Sequence, residues 1–341
     1  MTNYKKRDNK YDYMRVFAMC MVILNHVADY FVGNNAHSWS HTGYVYVCES
    51  ISHCAIPLFL MLTGVFVIEK AGKQSSKEFY LESAKKLGIP FGIFVVVYFV
   101  YDICIAKTKT VNAIYWGILT GFSGMYAHWY MVMLAVVYAL LPVIAIIRNH
   151  VSYGAWAKGV IIFFIWVMCG HYFESSGASW SLSSMYLIGY VLMGDVIHQK
   201  LKFKNNAIGF GVIIAGILML CLNGTMLYHE VVNGGDYYNK LLNLYGAPLI
   251  IVASLTIFCG FTMLTIKKSV YVLSSISYIV FLAHKMVINI LSPLIYPALE
   301  EWFNYDIRVL ISVEYIIMFT MSIATSAIIY KFLNMVLYRR R

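Results

Sequence analysis

Ten long apolar runs, separated by short polar segments, set the pattern of this chain: 12–32, 44–68, 87–106, 128–147, 159–173, 181–198, 206–224, 244–265, 270–292 and 308–334. A helix needs about 20 mostly apolar residues to cross the hydrocarbon core of a bilayer. The pattern therefore predicts an all-α polytopic membrane protein with about ten transmembrane helices. The fifth and sixth runs are short, and a re-entrant course is the alternative for the fifth. Residues 111–121 (VNAIYWGILTG) are too few to cross and read as an interfacial helix ahead of the fourth span. The first run contains Arg15, His26 and Asp29 and lacks a small-residue cleavage site, so it reads as a retained span rather than a signal peptide. No Pro/Ser-rich linker, low-complexity tract or repeat divides the chain, and residues 1–341 are expected to form a single membrane-embedded domain.

Composition narrows the class. Of 341 residues, 60% are hydrophobic and 12% charged, and the mean hydropathy is +0.69. Soluble domains carry roughly 45–50% apolar and about 25% charged residues. A soluble enzyme, a disordered tail and a nucleic-acid module are all excluded. The net charge of +10 is explained by placement: of the 26 Lys and Arg, 20 fall in segments on the side of the N-terminus, four on the opposite side and two, Arg15 and Lys285, within spans. Such a bias marks the cytoplasmic side, so both termini are expected there, with the lipid bilayer as partner and no nucleic acid. The seven cysteines lie in or beside apolar runs without CxxC spacing and read as small buried hydrophobes.

Ionisable residues at membrane depth cost at least ~2.5–3.5 kcal/mol on insertion scales, which makes them functional candidates. The first span carries Asp12, Arg15, His26 and Asp29. Arg15 and His26 are 11 residues apart, which returns the helix to the same face within about 20° and separates them by roughly 16 Å along the axis. One stripe of one helix thus holds a cation near the cytoplasmic mouth and an imidazole past the midplane. Asp29, one turn beyond His26, is placed to hold one ring nitrogen and leave the other as a base. A histidine bridging two helices and an arginine snorkelling to headgroups are the structural alternatives, and the shared face favours function. In the second span Glu49 and His53 lie four apart on one face. His128, Trp129 and Tyr130 open the fourth span, and His284 and Lys285 lie in the ninth. Asp102, Asp195 and Glu314 complete the intramembrane set, several as structural pairs, with Asp195 and His198 near the interface. No HExxH or HxH occurs, so no metal is expected. Outer segments are rich in Trp and Tyr, among them Trp39, Trp180, Tyr237, Tyr245 and Trp302. They suit either saccharide stacking or, the reading favoured here, an interfacial aromatic belt.

These segments resemble acyltransferase family 3, the multi-span membrane acyltransferases that decorate bacterial surface glycans. YDYMRVFAMCMVILNHV is similar to the family's Asp-x-x-Arg followed by Arg-x10-His, matched by Asp12, Arg15 and His26. IPLFLMLTG resembles its proline-aromatic run ending in Ser-Gly, with Thr63-Gly64 here; AHWYMVMLAVVYALLP resembles its His-x-Trp segment running to Pro142; and SISYIVFLAHKMV resembles its ninth-helix pattern, matched by Ser277, Leu282 and His284. The chain departs from the pattern at His53, where arginine is common, at His128, which directly precedes Trp129, and at Lys85 and Lys86, which stand for an arginine pair.

The resemblance implies a bacterial cytoplasmic-membrane enzyme with no permanently bound cofactor. Its co-substrate would be acyl-CoA, with acetyl-CoA the default, and its acceptor a surface saccharide or glycolipid reached from outside. Arg15 with Asp12, Lys85 and Lys86 would bind the nucleotide end. His26 would act as general base, with Asp29 or Glu49 orienting it and His53 or Tyr130 donating to the oxyanion. His128, Trp129, Tyr130 and His284 would contact substrate. A homo-oligomer is compatible with the sequence. Two other classes compete: an amino-acid (serine-like) transporter, since membrane domains of serine racemases resemble this family, and a polysaccharide export subunit. Against transport stands the lack of an internal inverted repeat and of a pair of Gly/Pro-broken short helices.

Overall fold

The computed structural model describes residues 8–34, 43–105, 129–175, 185–237, 239, 241–303 and 306–337, with main chain alone at 32–34, 171–175 and 336–337. Among them every regular element is helical. In chain order they are α1 (Asn9–Asn34), α2 (Gly43–Ser52), α3 (Ala55–Ala71), α4 (Ser76–Ser83), α5 (Ile89–Val100), α6 (Trp129–His150), α7 (Tyr153–Ser175), α8 (Tyr186–Lys200), α9 (Asn206–Val232), α10 (Pro248–Met263), α11 (Tyr271–Trp302) and α12 (Ile307–Leu337). Eight helical stretches are long and apolar enough to cross a membrane, which makes this an all-α polytopic membrane protein. The spans expected at 181–198 and 244–265 correspond to α8 and α10, of 15 and 16 residues, shorter than the other crossings. The fifth run is longer than expected: α7 has 23 residues and its described part has crossing length. The segment 111–121 lies outside the described residues.

Local sequence accounts for the breaks. The second run is two helices rather than one, because Pro57 has no amide to give the carbonyl of residue 53 and its ring crowds that carbonyl. The chain turns at His53–Cys54 before α3 begins. Glu49 and His53 remain one helical turn apart ahead of this break, the His53 amide donating to the Glu49 carbonyl at 3.2 Å. The third run is continuous over Ser76–Ile105 but has π-helical turns at Ala84–Gly88 and Tyr101–Ile105. It starts eleven residues earlier than its apolar run because a capping box precedes it: Ser75 Oγ accepts from the Glu78 amide and Glu78 accepts from the Ser75 amide. Asn205 caps α9 in the same way, accepting from the Ile208 amide at 3.1 Å.

Helix α1 is the hub and packs on α2, α3, α11 and α12. One apolar core lies between α1, α3, α6, α8 and α10, and a second between α1, α11 and α12. Small residues allow the closest crossing: a Cβ on Gly64 of α3 would stand 1.8 Å from the Val191 carbonyl of α8, and one on Gly194 of α8 would stand 2.1 Å from the Met61 carbonyl of α3. Those two backbones touch through reciprocal glycines, as small-residue interfaces in membranes do. The Thr63-Gly64 pair is thus a packing point that fixes α3, and with it the segment around His53.

Candidate active site

Three cavities adjoin one another along α1. At the basic end, where α1 begins and α3 ends, a vestibule of about 770 Å³ is lined by Tyr11, Asp12, Arg15, Glu69, Lys70 and Lys73, among others. A narrower passage of about 220 Å³ follows, with Arg15, Thr63, Phe66, Tyr138 and Tyr278 on its walls. At the far end a chamber of about 570 Å³ is lined by His26, Asp29, Glu49, His53, Trp129, Tyr130, Tyr237 and Tyr245. Consecutive cavities share walls: Arg15 and Phe66 border the first two, Tyr130 and Phe281 the last two. Arg15 and His26 thus both face the protein interior, from opposite ends of one helix.

Around Arg15 the charges are tied together. Asp12 is buried and accepts from Ser274 Oγ at 2.6 Å; Arg15 Nη1 donates to Ser274 Oγ at 2.9 Å and to Asp12 Oδ1 at 3.3 Å. The guanidinium also lies 5.7 Å from the centre of the Phe66 ring. Lys70 pairs with Glu82 and Lys73 with Glu69. Tyr11 meets His198 Nδ1 at 2.5 Å.

The far chamber is organised around imidazoles. His26 Nδ1 donates to Asp29 Oδ2 at 3.0 Å, which leaves Nε2 of the neutral ring as a lone-pair site. The His26 ring stacks on His284 with centres 5.1 Å apart and planes at 30°. His53 Nδ1 donates to the Glu49 carbonyl at 2.7 Å. In its neutral form it therefore presents Nε2 as an acceptor, not as a donor. Glu49 does not reach His26; it accepts from the Tyr237 hydroxyl. Burial, with Glu49 beside it, holds that hydroxyl protonated well above the ordinary tyrosine range. Tyr237, Asn243, Leu244 and Tyr245, between α9 and α10, line the chamber, and Asn243 Nδ2 donates to the Tyr237 carbonyl at 2.9 Å. Trp129 and Tyr245 stack at 5.7 Å, and His53 lies 5.2 Å from Tyr245.

A family model described as an acyltransferase domain matches residues 8–331. The chain belongs to acyltransferase family 3. It is a membrane acyltransferase, and the transport and export readings give way to this one. No curated protein and no solved structure matches it at a significant level.

Within the acyltransferase, the residues singled out from sequence divide into groups. Asp12, Arg15, His26, Asp29, Glu49, His53, Trp129 and Tyr130 all line the three cavities. His284 is fully buried behind His26 rather than on the cavity wall. Lys85 and Lys86 are exposed and line none of the three. They sit on the π-helical turn between α4 and α5, and Lys70 and Lys73 hold the vestibule instead. His128 lies outside the described residues. The outer aromatics also divide: Tyr237 and Tyr245 belong to the chamber, Trp302 is 75% exposed, and Trp39 and Trp180 lie outside the described residues. Asp195 is structural, accepting from Trp156 Nε1 and Gln199 Nε2 at 2.9 and 2.7 Å with Arg148 at 3.5 Å. Glu314 pairs with Ser292. Sequence reasoning passed over Ser274, which bridges Asp12 and Arg15; a lone serine in an apolar helix carries no signal of a partner more than 250 residues away.

Proposed function

We propose that this acyltransferase moves an acyl group, acetyl by default, from cytoplasmic acyl-CoA to a hydroxyl of an extracytoplasmic cell-surface saccharide or glycolipid, in a bacterial cytoplasmic membrane. The observation that carries the proposal is the series of three adjoining cavities along α1, with Arg15 at one end and the His26–Asp29 pair at the other. The basic end faces the cytoplasm and receives the nucleotide, whose phosphates meet Arg15, Lys70 and Lys73. The pantetheine arm lies in the passage, and its thioester reaches the chamber. Charge-assisted hydrogen bonds to phosphate from a guanidinium are strong and directional, and the passage walls are otherwise largely apolar.

His26 is the general base. The acceptor hydroxyl gives its proton to Nε2 as its oxygen bonds to the thioester carbon. Asp29 on Nδ1 holds the ring in the tautomer this requires and stabilises the imidazolium that forms. The tetrahedral intermediate then expels the CoA thiolate, which takes the proton back, so no net proton is consumed. Because His53 has committed its Nδ1 proton to a backbone carbonyl, Tyr130 is the oxyanion donor and His53 accepts from the acceptor substrate. Trp129 and Tyr245 provide the stacked wall against which a sugar ring lies.

The test is labelled acetyl-CoA supplied to membranes that contain wild type or the His26→Ala variant at equal levels. Wild type passes label to a surface saccharide, and the variant does not. Undiminished transfer by the variant ends the proposal.

A further inference from the structure

Helix α5 contributes one polar group to the support of the site. Tyr98 is buried, and its ring lies against α11. The Met286 amide donates to Tyr98 Oη at 2.9 Å, and the same hydroxyl donates to the Leu282 carbonyl at 3.2 Å. Residues 282 and 286 stand four apart, and in an α-helix that amide and that carbonyl are each other's partners. The Tyr98 hydroxyl therefore bridges a pair that the α11 ladder would otherwise close alone, and a side chain that enters the ladder in this way bends or re-sets the turn it touches.

The turn held in this way carries His284. Its ring is fully buried, its Nδ1 donates to the Val280 carbonyl at 3.1 Å, and its face lies against the His26 ring. The Phe281 ring also packs near it, 5.8 Å from the His284 centre with planes at 45°. One face of His26 is thus covered by His284, while its Nδ1 is held by Asp29. The distance of the covering ring decides how much solvent reaches an imidazole that becomes charged during the reaction.

We infer that Tyr98 is a positioning residue for acyl transfer: its hydroxyl, bridging Leu282 and Met286, fixes the turn of α11 that holds the His284 ring against His26. The inference rests on the reading of His26 as the proton acceptor. Tyr98 does not line any of the three cavities, so it acts through α11 and not on substrate. Phe94 lies buried in the same apolar core as Leu282 and Ala283 of α11 whether or not the hydroxyl is present.

The decisive variant is Tyr98→Phe, which keeps the ring and removes the hydroxyl that makes the bridge. A control is Tyr80→Phe, which removes another helix-to-helix bond, from Tyr80 Oη to the Ala139 carbonyl at 2.8 Å, at a tyrosine that lines none of the three cavities. Purified enzymes in nanodiscs are compared for kcat, for KM toward acetyl-CoA and for the dependence of kcat on pH. Tyr98→Phe lowers kcat about tenfold or more, as small misplacements of catalytic groups do, leaves KM for acetyl-CoA within about twofold, and moves the midpoint of the pH profile. Tyr80→Phe matches wild type in all three. A Tyr98→Phe enzyme whose kcat per folded molecule and pH midpoint equal those of wild type overturns the inference, even if its melting temperature falls. His26→Ala separates the two levels: if it retains turnover, the reading of His26 fails; if it is inactive while Tyr98→Phe behaves as wild type, only the role of Tyr98 fails.

Discussion

The two ends of α1 use their polar residues differently. At the basic end, Asp12, Arg15 and Ser274 satisfy one another, and the neighbouring lysines are paired with glutamates. At the far end, His26 and His53 each have one ring nitrogen anchored and the other left for a ligand. A guanidinium held in place by its neighbours suits binding, since its remaining N–H donors can form charge-assisted hydrogen bonds to a polyanion. An imidazole with one committed nitrogen suits proton transfer, since its tautomer is fixed in advance. On the function proposed above, the same helix would separate holding the donor from reacting with it, over a distance of roughly 16 Å set by 11 residues of helical rise.

The largest expected effect removes both ends at once. Gly64→Val on α3 drives a side chain into the Val191 carbonyl and should cost more than the ~1–3 kcal/mol of ordinary overpacking. It is expected to abolish folded protein in the membrane, as read by fluorescence-detected size exclusion. Next, His26→Ala should lower kcat by about 10²–10⁴, the usual range for a positioned proton-transfer group, with binding of a CoA thioether analogue unchanged by calorimetry. Arg15→Ala should do the reverse, raising KM for acyl-CoA about tenfold to a hundredfold through loss of charged hydrogen bonds while the pH dependence of kcat keeps its shape. The smallest effect sharpens the comparison further. Lys85→Ala and Lys86→Ala, exposed and away from the vestibule, should leave KM within about twofold, whereas Lys70→Ala and Lys73→Ala should raise it. Steady-state kinetics on all four variants decides which lysines belong to the donor site.

Much of this arrangement is legible in the sequence because helices translate spacing into direction. The shared face of Arg15 and His26, and the position of Asp29 one turn on, follow from 3.6 residues per turn and hold in the structure. The crossing count is less legible at α8 and α10, where apolar runs of near-crossing length fold into helices of 15 and 16 residues. Glu49 and His53 keep the one-turn spacing their positions predict, with the His53 amide bonded to the Glu49 carbonyl, and the break that Pro57 imposes follows directly after them. Lys85 and Lys86 stand where the family resemblance expects an arginine pair, and the resemblance does not reveal that they lie exposed on a π-helical turn. Contacts between distant helices, such as Ser274 with Arg15 and His284 with His26, have no local spacing from which they could be read. Tyr237 and Tyr245 are indistinguishable in sequence from belt aromatics until the structure places both on the chamber wall.

The central claim is that a donor entering beside Arg15 delivers its acyl end beside His26. An acyl-CoA analogue with a photoreactive diazirine at the end of its acyl group, irradiated in the purified protein and mapped by mass spectrometry, tests this directly. The account predicts adducts on chamber residues such as Val22, Asn25 and Tyr130, competed away by acetyl-CoA and lost in Arg15→Ala. Adducts confined to the vestibule residues near Lys70 and Glu69, or to the lipid-facing helices, would contradict it.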